Sequence, residues 1–265
     1  MDIQTEVGFA LIIGLLQGVF EWLPVSSEGI ITATGIVGQL EPAVAIQLAL
    51  FVHLGTAMAA AGYHRSILRG WMRDLPTLDD AALRFWIVAT AVTGIVGIVI
   101  YRSVVALLAG VSAAVAVAMI GGLLVLTGAI QLVDAGGDEI RTKVTIGDAL
   151  LIGILQGTAI IPGISRSAVT TSGLLLRGVD GPAAFRLSFL LAIPASVGAA
   201  GLAVLDAGGI PAVAFGPAVV TVGTAALVGA GTIGVLMRIA ERVDFSVLVI
   251  GFGMLTIGGA GVMLL

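Results

Sequence analysis

The chain has 265 residues, 58% hydrophobic and 11% charged, with a formal net charge of −4 and a mean hydropathy of +1.16. An ordinary soluble domain is about 25% charged, so this composition excludes a surface covered by water and fits a bundle of membrane helices. The absence of cysteine excludes a disulfide framework and thiolate chemistry.

In chain order, the opening "MDIQTEVG" carries two acids and no basic residue, so no cleavable signal peptide is expected. An apolar arm at 7–20 is broken by "EWLPVSSEGI" (21–30), and a second arm follows at 29–38. Spanning helices are predicted at 43–63, 85–101 and 111–133, with solvated loops at "RDLPTLDDA" (73–81) and "DAGGDEIRTK" (134–143). A second broken region has arms at 149–161 and 167–176 around "PGISRSAVTT" (162–171). Further spans are predicted at 183–205, 213–237 and 246–264. Arms of about 10–14 residues are too short to cross and suggest re-entrant segments. Irregular backbone at membrane depth must be buried in protein or line a wet cavity.

The two broken regions resemble each other. "GLLQG" (14–18) returns as "GILQG" (153–157), and each is followed by a proline and a serine pair: Pro24 with Ser26 and Ser27, Pro162 with Ser165 and Ser167. Two structural repeats follow, about 1–133 and 146–265. If the first hairpin enters from outside, Arg65, Arg69, Arg73, Arg84, Arg141, Lys143, Arg177, Arg186, Arg238 and Arg242 fall at the inner face, and only Arg102 falls outside. That bias obeys the positive-inside rule. It predicts an all-α, multi-pass protein of the cell membrane, with six transmembrane helices and two re-entrant hairpins in an inverted repeat. Such repeats place a site between two broken helices near the midplane.

Charges inside a membrane segment are expensive and mark sites or pathways. Glu21, Glu28 and Arg166 are therefore the first candidates. Arg166 follows Pro162-Gly163 and lies between Ser165 and Ser167, where a half-helix should start. A helix N-terminus offers free N–H donors, and a guanidinium matches phosphate oxygens. This suits a phosphate or diphosphate at membrane depth. The competing reading is an ion pair of Arg166 with Glu21 or Glu28 that locks the hairpins together, and both can hold. Ser26, Ser27, Ser165 and Ser167 serve either as ligands or as helix caps. Thr170 and Thr171 are either ligands or back-bonded within a helix. Gln17 and Gln156 either touch the ligand or bond between helices. Glu21 can act as a general base or hold a divalent cation bridging phosphate oxygens. His53, in "FVHLGT", is either a core residue or a member of the site. The sequence has no His/Cys metal cluster, P-loop or dinucleotide fingerprint.

"QGVFEWLPVSSEG" and "PGISRSAVT" resemble the two motifs of the undecaprenyl-diphosphatase family of integral membrane phosphatases, and "VHLGT" (52–56) and "SFLLAIPA" (188–195) resemble further family segments. The resemblance covers nearly the whole chain, and the "SSEG" form looks like an archaeal branch. It implies six spanning helices with two re-entrant hairpins. It also implies hydrolysis of a polyprenyl diphosphate to the monophosphate and inorganic phosphate, which recycles a lipid carrier for cell-envelope glycans. The implied site opens toward the outer face and depends on a divalent cation, Mg²⁺ or Ca²⁺, with Glu21 and Glu28 as its ligands here. The matching positions are Glu21, Ser26, Ser27, Ser165, Arg166, Ser167 and Thr170. Expected partners are the lipid and the membrane, with no nucleic acid, and there is room for a homodimer.

Four positions depart from the family pattern. Gln17 replaces a glutamate, Glu28 a threonine, Ile30 the motif-ending histidine, and Arg186 an acid. With isoleucine unable to move a proton, the histidine's role passes to Glu28 or to His53. The nucleophile is Ser27 or Ser26 with Glu21 as base, or a water. A flippase for the polyprenyl phosphate, without hydrolysis, is the alternative that the altered positions leave open.

Overall fold

The computed structural model describes residues 3–108, 110–132, 141–210, 215–240 and 242–264. Most of the loop expected at 134–143 and the first two residues of the span expected at 213–237 lie outside them. The described residues form eleven helices and no strand, with one isolated bridge between Arg141 and Val179.

The first broken region is α1 (Ile3–Phe20) and α2 (Ser27–Val37). Then come α3 (Pro42–Tyr63), α4 (Arg65–Asp74), α5 (Ala81–Leu108) and α6 (Ala113–Gln131). The second broken region is α7 (Ile146–Thr158) and α8 (Arg166–Leu176). It is followed by α9 (Gly181–Asp206), α10 (Phe215–Ala240) and α11 (Ser246–Val262). Five of these, α3, α5, α6, α9 and α10, are long and apolar enough to cross a membrane. α11, at 17 residues, falls at the short end of the spanning range. The protein is thus a multi-pass membrane protein.

The sequence places the breaks. Ser26 caps α2, its hydroxyl accepting from Gly29 N, and Ser165 caps α8 in the same way from Ala168 N. Thr145 and Asp148 form a reciprocal capping box that starts α7. Pro42 and Pro182 open α3 and α9, where a missing N–H does no harm. The one helix the sequence did not suggest is α4. Its arginines face out, while Ile67, Leu68 and Trp71 pack against Leu83 and Leu190, so it lies against α5 and α9.

The repeated "GxxQG" has a packing reason. A Cβ on Gly14 or Gly18 would come within 2.7 Å of Thr221 O or Val228 Cβ on α10. One on Gly153 or Gly157 would come within 2.7 Å or 2.6 Å of Val92 Cβ or Val96 Cβ on α5. Both pairs are small-xxx-small contacts that let a broken helix sit directly on a long one. Helix contacts then follow a matched pattern: α1 on α10 and α7 on α5, α2 on α3 and α8 on α9, with α3 on α9 and α6 on α11 between the halves. The base of the second hairpin is tied by Asp148, which accepts from Arg141 Nη1 and Nη2 (2.8 and 2.9 Å) and from Arg177 Nε (2.8 Å).

Candidate functional site

The tips of the two broken regions meet in the middle of the bundle. At the first tip the chain turns through Ser26 in the left-handed conformation (φ 60°), a strained choice for a non-glycine residue. At the second tip Gly163 has φ 103°, and a Cβ there would sit 2.7 Å from Leu123 Cβ, so only glycine fits. Gly29 closes the tips together, since its Cβ would lie 2.8 Å from Gly163 N. The N-termini of α2 and α8 therefore converge on one spot, each bringing free N–H groups and the positive end of its dipole.

Between the tips is a small cavity of about 30 Å³ lined by Glu21, Ser26, Ser27, Glu28, His53, Ser165, Arg166 and Ser167. Eight of the residues read from the sequence are thus brought to one place. Glu21 is the hub. Its Oε1 accepts from Arg166 Nη2 at 2.6 Å, while Oε2 accepts from Gln17 Nε2 (3.0 Å) and Ser27 Oγ (2.8 Å) and lies 3.2 Å from His53 Nε2. The Arg166–Glu21 ion pair expected as a lock between the hairpins is present, and it leaves Arg166 lining the cavity. Arg166 is further fixed by donating Nη1 to Ser188 O (3.0 Å) and by lying 5.7 Å above the Phe189 ring. These two hydrogen bonds use two of the five N–H donors of the guanidinium.

His53 faces the site. Its Nδ1 is bonded to Ala49 O, which assigns that nitrogen a proton. Its Nε2 lies 3.2 Å from Glu21 Oε2, so a protonated ring would pair with that carboxylate. Glu28, 7% exposed, has a buried Oε1 without a hydrogen-bond partner. Ser165 Oγ and Ser167 Oγ lie 3.2 Å apart, and Ser167 Oγ donates to Leu23 O (3.3 Å) across the tips.

Four expected residues stand back from this cavity. Among them is Thr171, whose buried Oγ1 has no hydrogen-bond partner and so is neither lining the cavity nor back-bonded. Gln17 lies one layer behind, bridging Glu21 and Thr56 (3.0 Å each). Thr170 bonds Arg166 O (2.7 Å) and Ser188 Oγ (2.7 Å), braced against α9. Gln156 donates to Thr93 Oγ1 (3.1 Å), and its unpartnered Oε1 belongs to a residue lining a second cavity. Sequence reasoning missed Thr127 on α6. Its hydroxyl donates to Gly163 O (2.7 Å) and accepts from Ser165 N (3.2 Å), holding the second tip in shape. The signal was a lone hydroxyl in the apolar run of α6, beside Gly128.

The second cavity, about 470 Å³, shares Glu28, His53, Ala159 and Arg166 with the first and runs between α5 and α9 to Leu205. Among the described residues no cluster of three His, Cys, Asp or Glu is arranged around a metal ion. Both Glu21 oxygens are engaged, so Glu28 is the carboxylate at the tips with an oxygen free to take a cation. One carboxylate suffices where substrate phosphates and water supply the other ligands.

Residues 10–257 match the profile of the family described as "Bacitracin resistance protein BacA". The chain is also 42% identical over 259 residues to an "Undecaprenyl-diphosphatase" of Haloarcula marismortui, covering 94% of this chain and 96% of that one. It is 35% identical to a protein of the same name in Methanococcoides burtonii, covering 94% of this chain and 96% of that one. The identity to another, in Pyrobaculum islandicum, is 37%, covering 98% and 97%. By the extent of these matches and the meeting of both motif regions in one cavity, the chain belongs to the BacA family.

Proposed function

We propose that the protein is a polyprenyl-diphosphate phosphatase, hydrolysing a lipid diphosphate to the monophosphate and inorganic phosphate and so returning a lipid carrier to envelope glycan synthesis. The observation that carries this is the convergence of two helix N-termini, Arg166 and three carboxylate or imidazole groups on one buried cavity. It is supported by the names of the relatives. In this reading the chain crosses the membrane six times and dips in twice, as two oppositely facing repeats, and the matched helix contacts support that arrangement.

The terminal phosphate lies between the tips, its oxygens receiving N–H groups of α2 and α8 and the free donors of Arg166. This fixed positive field meets the charge of a loose phosphoryl-transfer transition state. Ser27 is the nucleophile, because its hydroxyl already donates to Glu21 Oε2 at 2.8 Å. Glu21, tied to Arg166, orients Ser27 and receives its proton as Ser27 Oγ bonds to the terminal phosphorus and the bond to the lipid monophosphate breaks. His53 holds a proton on Nε2 for the leaving monophosphate, replacing the histidine that Ile30 lacks. A water then attacks the phosphoserine, giving its proton to the now neutral His53 while Glu21 returns the serine proton to Ser27 Oγ, and inorganic phosphate leaves. Glu28 is the group that would hold a divalent cation, which would neutralise phosphate charge when bound. Gln17, Thr170 and Gln156 position the groups in front of them.

The test is phosphate release from a polyprenyl diphosphate by purified protein. Ser27→Ala should lower the rate at least about 100-fold, and Glu28→Gln should weaken the response to Mg²⁺ or Ca²⁺. Tight binding without release in the wild-type protein would instead favour the flippase.

A further inference from the structure

The matched helix contacts have one unequal pair. α3 against α10 and α5 against α9 occupy corresponding places in the pattern. The first is closed: a Cβ on Gly55 of α3 would fall 2.8 Å from Ala225 Cβ and 2.9 Å from Ala226 N on α10. The second is open. Gly94 on α5 and Gly198 and Gly201 on α9 line the larger cavity from facing walls, yet a Cβ on any of them meets nothing within 4 Å.

The opening is built into the sequence. Pro194, inside α9, removes the hydrogen bond that would end on Leu190 O. The freed carbonyl takes the indole N–H of Trp86 on α5 at 2.9 Å. At the other end, Tyr101 Oη donates to Asp206 Oδ2 at 3.0 Å, and Gln47 Nε2 donates to the same oxygen at 2.8 Å. These clasps are 15 residues apart on α5 and 16 on α9, so they frame a window about 22 Å tall.

One end of the cavity is polar. Arg166 and His53 line it, with Glu28 and Gln156, whose buried Oε1 atoms lack partners. Thr90, Thr93 and Ser196 add hydroxyls to the wall, and the rest, out to Leu202 and Leu205, is apolar and small-residue surface. A ligand that fits has an anionic head and a lipid tail. A volume of about 470 Å³ is that of a drug-sized pocket, too small for a whole polyprenyl chain.

We propose that the gap between α5 and α9 is the lateral portal and tail seat for the isoprenoid chain of a diphosphate ester whose head lies at the hairpin tips. The head-proximal units fill the cavity, and the remainder leaves between the Trp86–Leu190 and Tyr101–Asp206 clasps into the bilayer. The proposal rests on the diphosphate reading of the tips, and it adds that affinity rises with chain length only until the cavity is full.

The test uses full-length protein in micelles and a farnesyl diphosphate bearing a benzophenone at its tail. Adducts are expected on α5 from Gly94 to Ile98 and on α9 from Gly198 to Leu205, lost on addition of unlabelled polyprenyl diphosphate. Gly94→Leu and Gly201→Leu fill open space, so they fold. Each should raise KM for farnesyl diphosphate about tenfold or more and reduce labelling, whereas Gly251→Leu, which also meets open space but lies on α11, should change neither. Adducts confined to α3 and α10, or unchanged KM and labelling in both slot variants, overturn the portal. Phosphate release with adducts elsewhere overturns the portal and leaves the phosphatase reading intact. Competed adducts in the slot without phosphate release support the portal and overturn hydrolysis. Equal competition by a phospholipid lacking diphosphate overturns the assigned occupant.

Discussion

Replacing Arg166 with methionine separates the two roles of this side chain. The Arg166–Glu21 pair is short (2.6 Å), with side-chain exposures of 16% and 4%. Removing one partner of such a pair strands the other charge in a poorly solvated place, at about 3–5 kcal/mol. His53 Nε2, 3.2 Å from the same carboxylate, compensates part of that charge, so the lower end, about 3 kcal/mol, is expected for Arg166→Met. The double variant Glu21→Gln/Arg166→Met strands no carboxylate and should recover about half of the loss. Its activity should not recover: both variants should release phosphate at least about 100-fold more slowly than wild type, because the fixed charge that meets the transition state is gone. Unfolding in detergent micelles and phosphate release, measured on the same preparations, read the two effects. Wild-type stability in Arg166→Met, or a double variant less stable than the single, would refute the electrostatic account. A rate within threefold of wild type would refute the catalytic role.

The other predictions concern the supports of the site. Gly163→Ala forces a Cβ to 2.7 Å from Leu123 Cβ at φ 103°, and unfolding should show a loss of about 2–3 kcal/mol together with lost activity. Restoring a histidine by Ile30→His should change the phosphate-release rate less than about threefold, because His53 already faces Glu21, whereas His53→Ala should lower it about 100-fold or more. At the base of α7, burial alone would raise the Asp148 carboxyl, but hydrogen bonds from Arg141, Arg177 and Thr145 outweigh it and hold it well below the usual carboxylate range. A depressed carboxylate stabilises the fold above its unfolded value, so a melting curve followed by pH should fall progressively below about pH 4. Asp148→Asn should flatten that fall.

The broken helices were legible because their apolar arms give way to proline and serine after Phe20 and Thr158. α1 nevertheless runs beyond the expected 14-residue apolar arm to 18 residues, since the residues from Ile3 to Glu6 extend it. The ends of α3, α9 and α10 follow the ends of the apolar runs within about three residues for the same hydrophobic reason. α4 was not legible, because counting Arg65, Arg69 and Arg73 as loop charges hides the Ile67, Leu68 and Trp71 face that only its neighbours reveal. Within the site, Glu21, Arg166 and the serines stood out as polar groups in apolar surroundings. Roles set by distant partners did not: Thr127 acts on a tip 36 residues away, and Gln17 needed Thr56 to fix its direction. Nor could the sequence show that α5 and α9 stand apart while α3 and α10 touch, since glycines occur on both pairs.

The most direct measurement of the central claim is ³¹P NMR of a polyprenyl diphosphate incubated with the purified protein. The account predicts that the diphosphate signals decay while lipid monophosphate and inorganic phosphate grow in equal amounts, and that Arg166→Ala stops both. A diphosphate that binds but keeps its signals, or equal turnover with Arg166→Ala, would contradict it.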